Sequence, residues 1–209
     1  TYKFSLIRSL PEKIRGEYIK ELEDDTYKFS LIRSLPEKIR GEYVKELEND
    51  KDKYEIIKSL PDETREKYIQ EFENEWYKIQ IVLSLPDEIR EKYIQEFEDE
   101  WSKFEIVSSL SSDEIKEKYI QAFKYQDDKI QIVLSLSEEK REKYIQEFKN
   151  EGFKTPIVLS LSSDEIKEKY IQEFKDEYFK SQIVLSLIEE KREKYIQEFN
   201  DESCKFEIV

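Results

Sequence analysis

The sequence repeats a segment of 25 or 26 residues, and this period constrains the fold more than any other feature of the chain. The first two repeats agree at 23 of 25 positions, differing at Ile19 versus Val44 and at Asp24 versus Asn49. Tandem repeats of this length are typical of solenoids, in which each repeat packs only against its neighbours. A leucine preceded by serine anchors every repeat: Leu10, Leu35, Leu60, Leu85, Leu110, Leu136, Leu161 and Leu187.

The extra residue of the longer repeats always falls in the same segment, between the anchor leucine and a recurring tyrosine. "LPDEIREKY" at 85–93 becomes "LSSDEIKEKY" at 110–119. Turns tolerate insertions because they run over the surface, so this segment is expected to contain a turn. The repeats then span residues 1–25, 26–50, 51–75, 76–100, 101–126, 127–151, 152–177 and 178–202, with a partial ninth at 203–209.

Two short helices are predicted in each repeat. Apolar side chains share one face in residues 77–85 by the i, i+3, i+4 spacing, and residues 86–98 show the same pattern. Neither helix is stable alone, because a helix shorter than roughly 12 residues barely offsets its cost of nucleation. Each hairpin must therefore pack against its neighbours. The sequence predicts an all-α fold, a right-handed α-solenoid of eight tandem helix-turn-helix repeats in a single domain, residues 1–209.

Local signals mark the start of each second helix. Proline follows the anchor leucine in the first four repeats, where it stops the first helix and opposes one long coiled coil. The serine before that leucine stands three residues before Glu or Asp, the spacing of an N-cap. "SSDE" at 111–114 and at 162–165 has the same form. The predicted caps in the first four repeats are Ser9, Ser34, Ser59 and Ser84.

The chain resembles a shortened array of HEAT-type repeats along its whole length. The resemblance rests on paired helices, on the turn proline and on an arginine that recurs in the second helix at Arg15, Arg40, Arg65 and Arg90. Each repeat is shorter than the roughly 40 residues of a HEAT repeat. HEAT arrays are mostly protein-binding scaffolds, and the resemblance implies that role here.

Two charged columns and one aromatic column need partners. The recurring arginine, and a lysine seven residues before each anchor leucine, lie in or beside the apolar stripes, where charge is costly unless it is paired. An inter-repeat ladder to acidic loop residues such as Asp25, Asp50, Glu75 and Glu100 is the favoured interpretation, and a basic stripe along a phosphate backbone is the alternative. The recurring tyrosines are expected in the core with hydrated hydroxyls, rather than as base-stacking groups.

Composition excludes several classes of function. Lys and Arg total 36 against 50 Asp and Glu, so the net charge of −14 opposes nucleic acids and anionic membranes. No apolar run approaches the roughly 18 residues of a membrane span, so no membrane association is expected. Cys204 is the only cysteine, which forms no intramolecular disulfide and suits a reducing compartment. An intracellular, cytoplasmic location is predicted.

Catalysis and cofactor binding are not expected. The chain has no histidine, so the recurring serines have no base to activate them as nucleophiles. Three glycines form no phosphate-binding loop, and a single cysteine without histidine makes a transition-metal site hard to build. We predict no enzyme activity, no cofactor and no metal.

Comparison between repeats indicates a working surface. On the first helix, positions nine, five and two before the anchor leucine vary, whereas the outward positions of the second helix stay Glu, Lys and Gln. The variable positions cluster opposite the apolar stripe and include tryptophans beside leucines expected to be exposed, which suits a protein partner. The candidate partner-binding residues are Trp76, Gln80, Leu83, Trp101, Glu105, Ser108, Gln131, Leu134, Leu159, Tyr178, Gln182 and Leu185.

The sequence leaves alternatives open. The variable face is equally explained by drift of an unconstrained surface, with its leucines filling the seams between adjacent first helices. The favoured function is a non-enzymatic scaffold for a protein partner. A modular reader of single-stranded nucleic acid is a second possibility, which the charge disfavours. A third is a structural component that self-associates end to end through the uncapped ninth repeat, and the chain is expected to be a fragment because it stops within that repeat.

Overall fold

The computed structural model describes residues 2–208, and for Tyr2, Lys3 and Glu207 the backbone alone. In this range the chain forms 17 α-helices and two 3₁₀ helices, with no β-strand, which confirms the all-α prediction. Thr1 and Val209, the two ends of the predicted repeat array, lie outside the described residues.

Odd-numbered helices are the first helices of successive repeats, and even-numbered helices are the second. The first helices are α1 (Tyr2–Arg8), α3 (Asp25–Arg33), α5 (Asp50–Lys58), α7 (Glu75–Leu83), α9 (Glu100–Ser109), α11 (Gln126–Leu134), α13 (Glu151–Leu159), α15 (Glu177–Leu185) and α17 (Glu202–Ile208). The second are α2 (Glu12–Ile19), α4 (Glu37–Arg40), α6 (Asp62–Arg65), α8 (Asp87–Tyr93), α10 (Asp113–Ile120), α12 (Glu138–Ile145), α14 (Asp164–Glu173) and α16 (Glu189–Ile196). The 3₁₀ helices η1 (Gly41–Glu46) and η2 (Glu66–Glu71) continue α4 and α6.

The chain divides into two compact units, which we call the N-terminal half (Thr1–Ser109) and the C-terminal half (Leu110–Val209). In the N-terminal half α5 packs against α7 and α7 against α9, while in the C-terminal half α11 packs against α13 and α13 against α15. Within each half, therefore, the first helices of consecutive repeats lie side by side. This is the stacking that short helices require.

Two apolar columns of the first helices form the core of each half. From α3 onward, the residues four and three before the anchor leucine are fully buried, as Ile56 and Ile57 in α5 or Ile183 and Val184 in α15 illustrate, whereas Leu6 of α1 is 64% exposed. The anchor leucines between Leu35 and Leu187 are at most 3% exposed. The hydrophobic pattern of the sequence thus located the buried face correctly.

Most first helices begin at an Asn or Asp cap, and α11, which begins at Tyr125, has no side-chain cap. Asn49 Oδ1 accepts a hydrogen bond from the backbone N–H of Lys51, and Asn74 Oδ1 accepts one from the N–H of Trp76. Such caps satisfy one of the four N–H groups that a helix start leaves unpaired. The cap places Trp76 in the first turn of α7, at the outer end of the helix.

The predicted capping role of the recurring serines is wrong. Ser34 is the C-cap of α3, and its Oγ donates to the carbonyl oxygen of Leu31 at 2.7 Å. The N-cap of α4 is Pro36, which has no side-chain hydrogen bond to the helix. Proline presets an extended backbone there, so the serine stands two positions before the N-cap and does not reach the second helix. Ser59 and Ser84 repeat the arrangement, and Ser9 Oγ likewise donates back, to the carbonyl of Leu6.

In the two "SSDE" segments a serine N-cap does form, but one residue later than predicted, whereas Ser137, which replaces the proline directly, makes no side-chain cap hydrogen bond. Oγ of Ser112 accepts from the N–H of Ile115 at the start of α10, and Ser163 does the same for Ile166 in α14. The first serine of each "SSDE" segment is not the cap. The longer turn gives the second serine the extended backbone that an N-cap needs.

The second helices end earlier than predicted. Residues 86–98 were expected to be helical, but α8 ends at Tyr93. In the third repeat the chain tightens into η2 and then extends at Phe72, with φ −91° and ψ 134°. This extension turns the ring of Phe72 into the core, where it is 7% exposed. Burial of this aromatic residue competes successfully with continuation of the helix.

Candidate protein-binding surface

A bridge from a basic residue to a serine joins each second helix from α2 to α14 to the first helix of the next repeat. Nη1 of Arg15 donates to Oγ of Ser34 at 2.7 Å and to its carbonyl oxygen at 3.2 Å. A cation at the last carbonyls of a helix is stabilised by the helix dipole. Equivalent contacts to the serine hydroxyl, its carbonyl or both occur at Arg40–Ser59, Arg65–Ser84 and Arg90–Ser109, and in the C-terminal half at Lys116–Ser135, Arg141–Ser160 and Lys167–Ser186.

The acid that begins a first helix forms a second bridge, to the loop before the next first helix. Oδ2 of Asp50 accepts from the backbone N–H of Glu73 at 3.0 Å and of Asn74 at 2.7 Å. The recurring lysine contacts this acid within its own helix, at 3.3 Å between Lys53 Nζ and Asp50 Oδ1. The bridge to two loop N–H groups recurs at Asp25, Glu151 and Glu177.

The predicted ladder is borne out for the lysines and wrong for the arginines. The recurring lysines pair with the acids named in the prediction, within one helix, at Lys28–Asp25, Lys53–Asp50 and Lys78–Glu75. The arginines were expected to pair with the same acids, and instead donate to helix-end oxygens. The acids also link consecutive repeats, through backbone N–H groups of the loop. Lys3, the first member of the lysine column, has no described side chain. The frame is therefore held by charge-assisted hydrogen bonds to backbone, which are stronger than contacts between neutral groups.

Four of the eight recurring tyrosines are buried in the core as predicted, and the other four are half-buried. Two of the buried hydroxyls have protein partners. The hydroxyl of Tyr144 donates to Glu117 Oε1 at 3.4 Å, and that of Tyr195 donates to Glu168 Oε1 at 3.1 Å. Burial, followed by the nearby charge of Glu117, raises the pKa of Tyr144 to about 12.

Two glycines make room for the same ring in the first repeats. Gly16 and Gly41 stand where later repeats have Glu, and a Cβ at Gly16 would lie 2.6 Å from Cζ of Tyr43. Here the glycine is needed for close approach of the ring rather than for an unusual backbone angle. The constant columns thus form a frame whose contacts are repeated from one repeat to the next.

The candidate surface lies on the opposite side of the first helices, and in the N-terminal half its centre is aromatic. Trp76 is 51% exposed, and its ring lies edge-on to Tyr77 with 4.8 Å between centroids. Tyr54 of the preceding first helix lies 6.4 Å from Trp76 and 5.6 Å from Tyr77. Tyr77 also lies 6.3 Å from buried Phe72, so this exposed cluster is anchored on the core.

Trp101 occupies the equivalent position in the next repeat and is also 51% exposed. The remaining candidate residues of the N-terminal half are half-buried rather than exposed: Gln80, Leu83, Glu105 and Ser108. The structure therefore presents two tryptophans, one repeat apart, above a partly buried polar and apolar floor.

The C-terminal half presents a second part of the candidate surface, with one aromatic residue. Tyr178 is 57% exposed and lies edge-on to Phe179 at 5.3 Å. Gln131 is exposed and Gln182 is half-buried. This face carries fewer aromatic side chains than the one in the N-terminal half.

The expected exposure of the outward leucines is wrong. Leu83, Leu134, Leu159 and Leu185 are all half-buried. They stand beside the buried valine column, at the edge where one first helix packs against the next. They fit the alternative interpretation, in which leucines fill the seams, and they contribute a floor to the face rather than projecting anchors.

Sequence reasoning missed Tyr54 and Tyr77 as members of the surface. Both belong to columns in which aromatic residues recur six and eight residues before the anchor leucine, and Phe4 and Tyr27 stack from the same two columns at 4.8 Å. The sequence feature that could have identified them is the recurrence of aromatic residues at these two positions in adjacent repeats. It could not be recognised without knowing that these columns face each other.

The described residues offer little for chemistry. Between residues 2 and 208 no three His, Cys, Asp or Glu side chains converge in a way that could hold a metal ion. The part of the chain that the structure describes has no helix both long and apolar enough to cross a bilayer. Oγ of Ser59, Ser84 and Ser160 donates to backbone carbonyls, as a helix-terminal hydroxyl does.

Comparison with protein-family models finds no match, and comparison with curated proteins finds none either. The similarity to HEAT-type arrays thus stays an interpretation of the sequence.

Proposed function

We propose that this chain is a non-enzymatic scaffold that binds a protein partner through the outward face of its first helices. The observation that carries the proposal is the pair Trp76 and Trp101, each half exposed at the same position of consecutive repeats. Exposed tryptophans are frequent energetic centres of protein interfaces. Neither is required by the frame, because other repeats carry Lys51, Asp127 or Gly152 at that position.

The environment of Trp76 further supports the proposal. Its ring lies on Tyr77, whose contact with buried Phe72 limits its movement. A preorganised aromatic anchor loses little conformational entropy on binding. The half-buried Leu83, two turns further along α7, adds apolar surface of the kind found in interface cores.

Two variants test the proposal. Trp76→Ala with Trp101→Ala removes the proposed anchors, whereas Tyr125→Ala removes an aromatic residue of similar exposure, 58%, outside the candidate set. Each protein is immobilised and incubated with lysate. Captured proteins are identified by mass spectrometry, and binding of the purified candidate is then measured. Circular dichroism checks that all three proteins are equally helical.

We expect the parent and Tyr125→Ala to bind the same purified protein, and the double tryptophan variant to bind it at least about tenfold more weakly, as loss of a central anchor does. Equal binding by all three proteins would refute the role of this face. Shift of a single-stranded oligonucleotide would favour the nucleic-acid alternative, and concentration-dependent sedimentation would favour self-assembly.

A further inference from the structure

A row of exposed cations runs along the C-terminal ends of the first three first helices. Arg8, Arg33 and Lys58 each stand two residues before the anchor leucine, in α1, α3 and α5. All three belong to the N-terminal half. This row is locally positive, whereas the chain as a whole carries a net charge of −14.

The fold does not require these cations. At the same position α7 carries Leu83 and α9 carries Ser108, and neither helix has a basic residue in its last turn. α7 nevertheless ends in the same turn as α3, with the N–H of Ser84 donating to the carbonyls of Ile81 and Val82. A cation at the end of a helix stabilises it modestly, but the repeat folds in the same way without one.

The cations are also not neutralised by the protein. Within residues 2–208 no ion pair involves Arg8, Arg33 or Lys58. Two of them lie instead over aromatic rings: Arg33 Cζ is 5.6 Å from the centroid of Phe29, and Lys58 Nζ is 5.4 Å from that of Tyr54. Cation–π contacts hold the side chains in place while leaving their charge available to a ligand.

Clefts between the helices connect the three positions. A cleft of about 350 Å³ between α1 and α3 is lined by Arg8, Phe29 and Arg33, among others. A second cleft of about 280 Å³ between α3 and α5 is lined by Arg33, Arg40 and Lys58, and also by one carboxylate, Glu55. Arg33 borders both clefts, and we call the two clefts together the basic groove.

We propose that the basic groove binds an extended acidic segment of a partner protein. Adjacent packed helices lie about 8–10 Å apart, which sets the spacing of the three cations. A polyproline II segment advances about 3.1 Å per residue with three residues per turn, so every third side chain points the same way about 9 Å further on. A segment with a carboxylate at every third position therefore presents one acid to each cation.

Charge favours a peptide over a nucleic acid in this groove. A single strand carries a phosphate at every nucleotide, and its full charge would meet Glu55 as well as the net negative charge of the chain. A peptide with spaced carboxylates needs only three cations. The proposal does not depend on the tryptophan surface, since Trp76 and Trp101 do not line either cleft.

The test uses the full chain and a fluorescein-labelled twelve-residue peptide, (Pro-Ala-Glu)₄, followed by fluorescence anisotropy at low salt. A peptide of identical composition with its four Glu in one block keeps the charge but not the spacing. The groove variant is Arg8→Gln with Arg33→Gln and Lys58→Gln. Its matched control is Lys13→Gln with Lys38→Gln and Lys67→Gln, which removes three exposed cations from second helices.

We expect the spaced peptide to bind the parent and the control variant similarly, and the groove variant at least about tenfold more weakly, because three partly desolvated charge contacts are lost. Binding should weaken with added salt. Equal loss in both variants, equal affinity for both peptides, or no binding to the parent would each overturn the proposal. Tighter binding of an oligothymidylate than of the peptide would identify a nucleic-acid groove instead.

Trp76→Ala with Trp101→Ala serves as a further control. This variant is expected to retain affinity for the spaced peptide, because it leaves all three cations in place. Failure of the basic groove and failure of the proposed tryptophan surface are therefore separate experimental outcomes.

Discussion

At the scale of single residues, the recurring arginine explains how a charge is accommodated beside the apolar stripes. Nε of Arg65 donates to the carbonyl of Leu60 at 2.9 Å, and Nη1 reaches both oxygens of Ser84 at 3.3 Å. Its side chain is 18% exposed. The guanidinium presents several donors in one plane, so one side chain can link the turn of its own repeat to the helix end of the next.

Arg65→Met tests this role. We expect unfolding free energy to fall by about 1–2 kcal/mol, because charge-assisted hydrogen bonds are lost and buried carbonyls lose a partner. The measurement is urea denaturation followed by circular dichroism. Arg33→Met is the matched control, since Arg33 is exposed and takes part in no ion pair in the described range. Equal losses would show that the bridge contributes nothing specific.

At the scale of elements, two acids in the first turn of α5 differ in their contacts and in their effect on stability. Asp50 is 13% exposed and accepts two N–H groups of the loop that precedes α7. Asp52 has no such loop contact, and burial, together with the charges of Asp25 and Glu55, raises its pKa. Both carboxylates favour the start of the helix through its dipole. A comparison of the stability lost on substituting each acid therefore measures the contribution of the Asp50 bridge to the next repeat.

We expect Asp50→Asn to lower the unfolding free energy by about 1 kcal/mol, because the charge on the shared acceptor is lost. Asp52→Asn should be neutral or stabilising at pH 7. A raised pKa means that folding favours the protonated carboxyl, so the stability Asp52 contributes is present at low pH and lost as the pH rises through its pKa. Denaturation of both variants at pH 7 checks the prediction, and equal destabilisation by both would contradict it.

At the scale of the whole molecule, the recurring tyrosine adds a buried phenol in four of the eight repeats and a half-buried one in the other four. Tyr93, Tyr144, Tyr170 and Tyr195 are at most 9% exposed. Burial, with the charges of Glu66 and Glu96, raises the pKa of Tyr93 to about 12. Burial and nearby carboxylates also raise the pKa of Tyr170. A repeated residue with a shifted pKa makes the stability of the chain depend on pH in a predictable window.

This window lies at alkaline pH. An unfolded phenol ionises near pH 10, whereas Tyr93 and Tyr144 keep their protons to a pKa of about 12. Between these values the unfolded state binds fewer protons, so stability falls as the pH rises. Denaturation midpoints from pH 9 to pH 12 should therefore decrease. Tyr93→Phe with Tyr144→Phe should flatten this decrease, and an unchanged slope would assign it to other groups.

The repeat, the helical hairpins and the buried columns could all be predicted from the sequence. Each depends on spacing within a single repeat, and spacing is visible in one dimension. The two exposed tryptophans were also found this way, because they stand opposite the apolar stripe. The right-handed twist, the count of eight repeats and the single-domain arrangement stay predictions.

What only the tertiary structure decided was which groups meet between repeats. Ser34 lies 19 residues from Arg15 and Asn74 lies 24 residues from Asp50, yet both pairs are hydrogen-bonded. The structure also places Ser34 at the C-terminus of α3 and leaves the outward leucines half-buried. Local pattern records the face on which a residue lies, but its partner depends on how neighbouring repeats stack, and that geometry is set by the packing of whole helices.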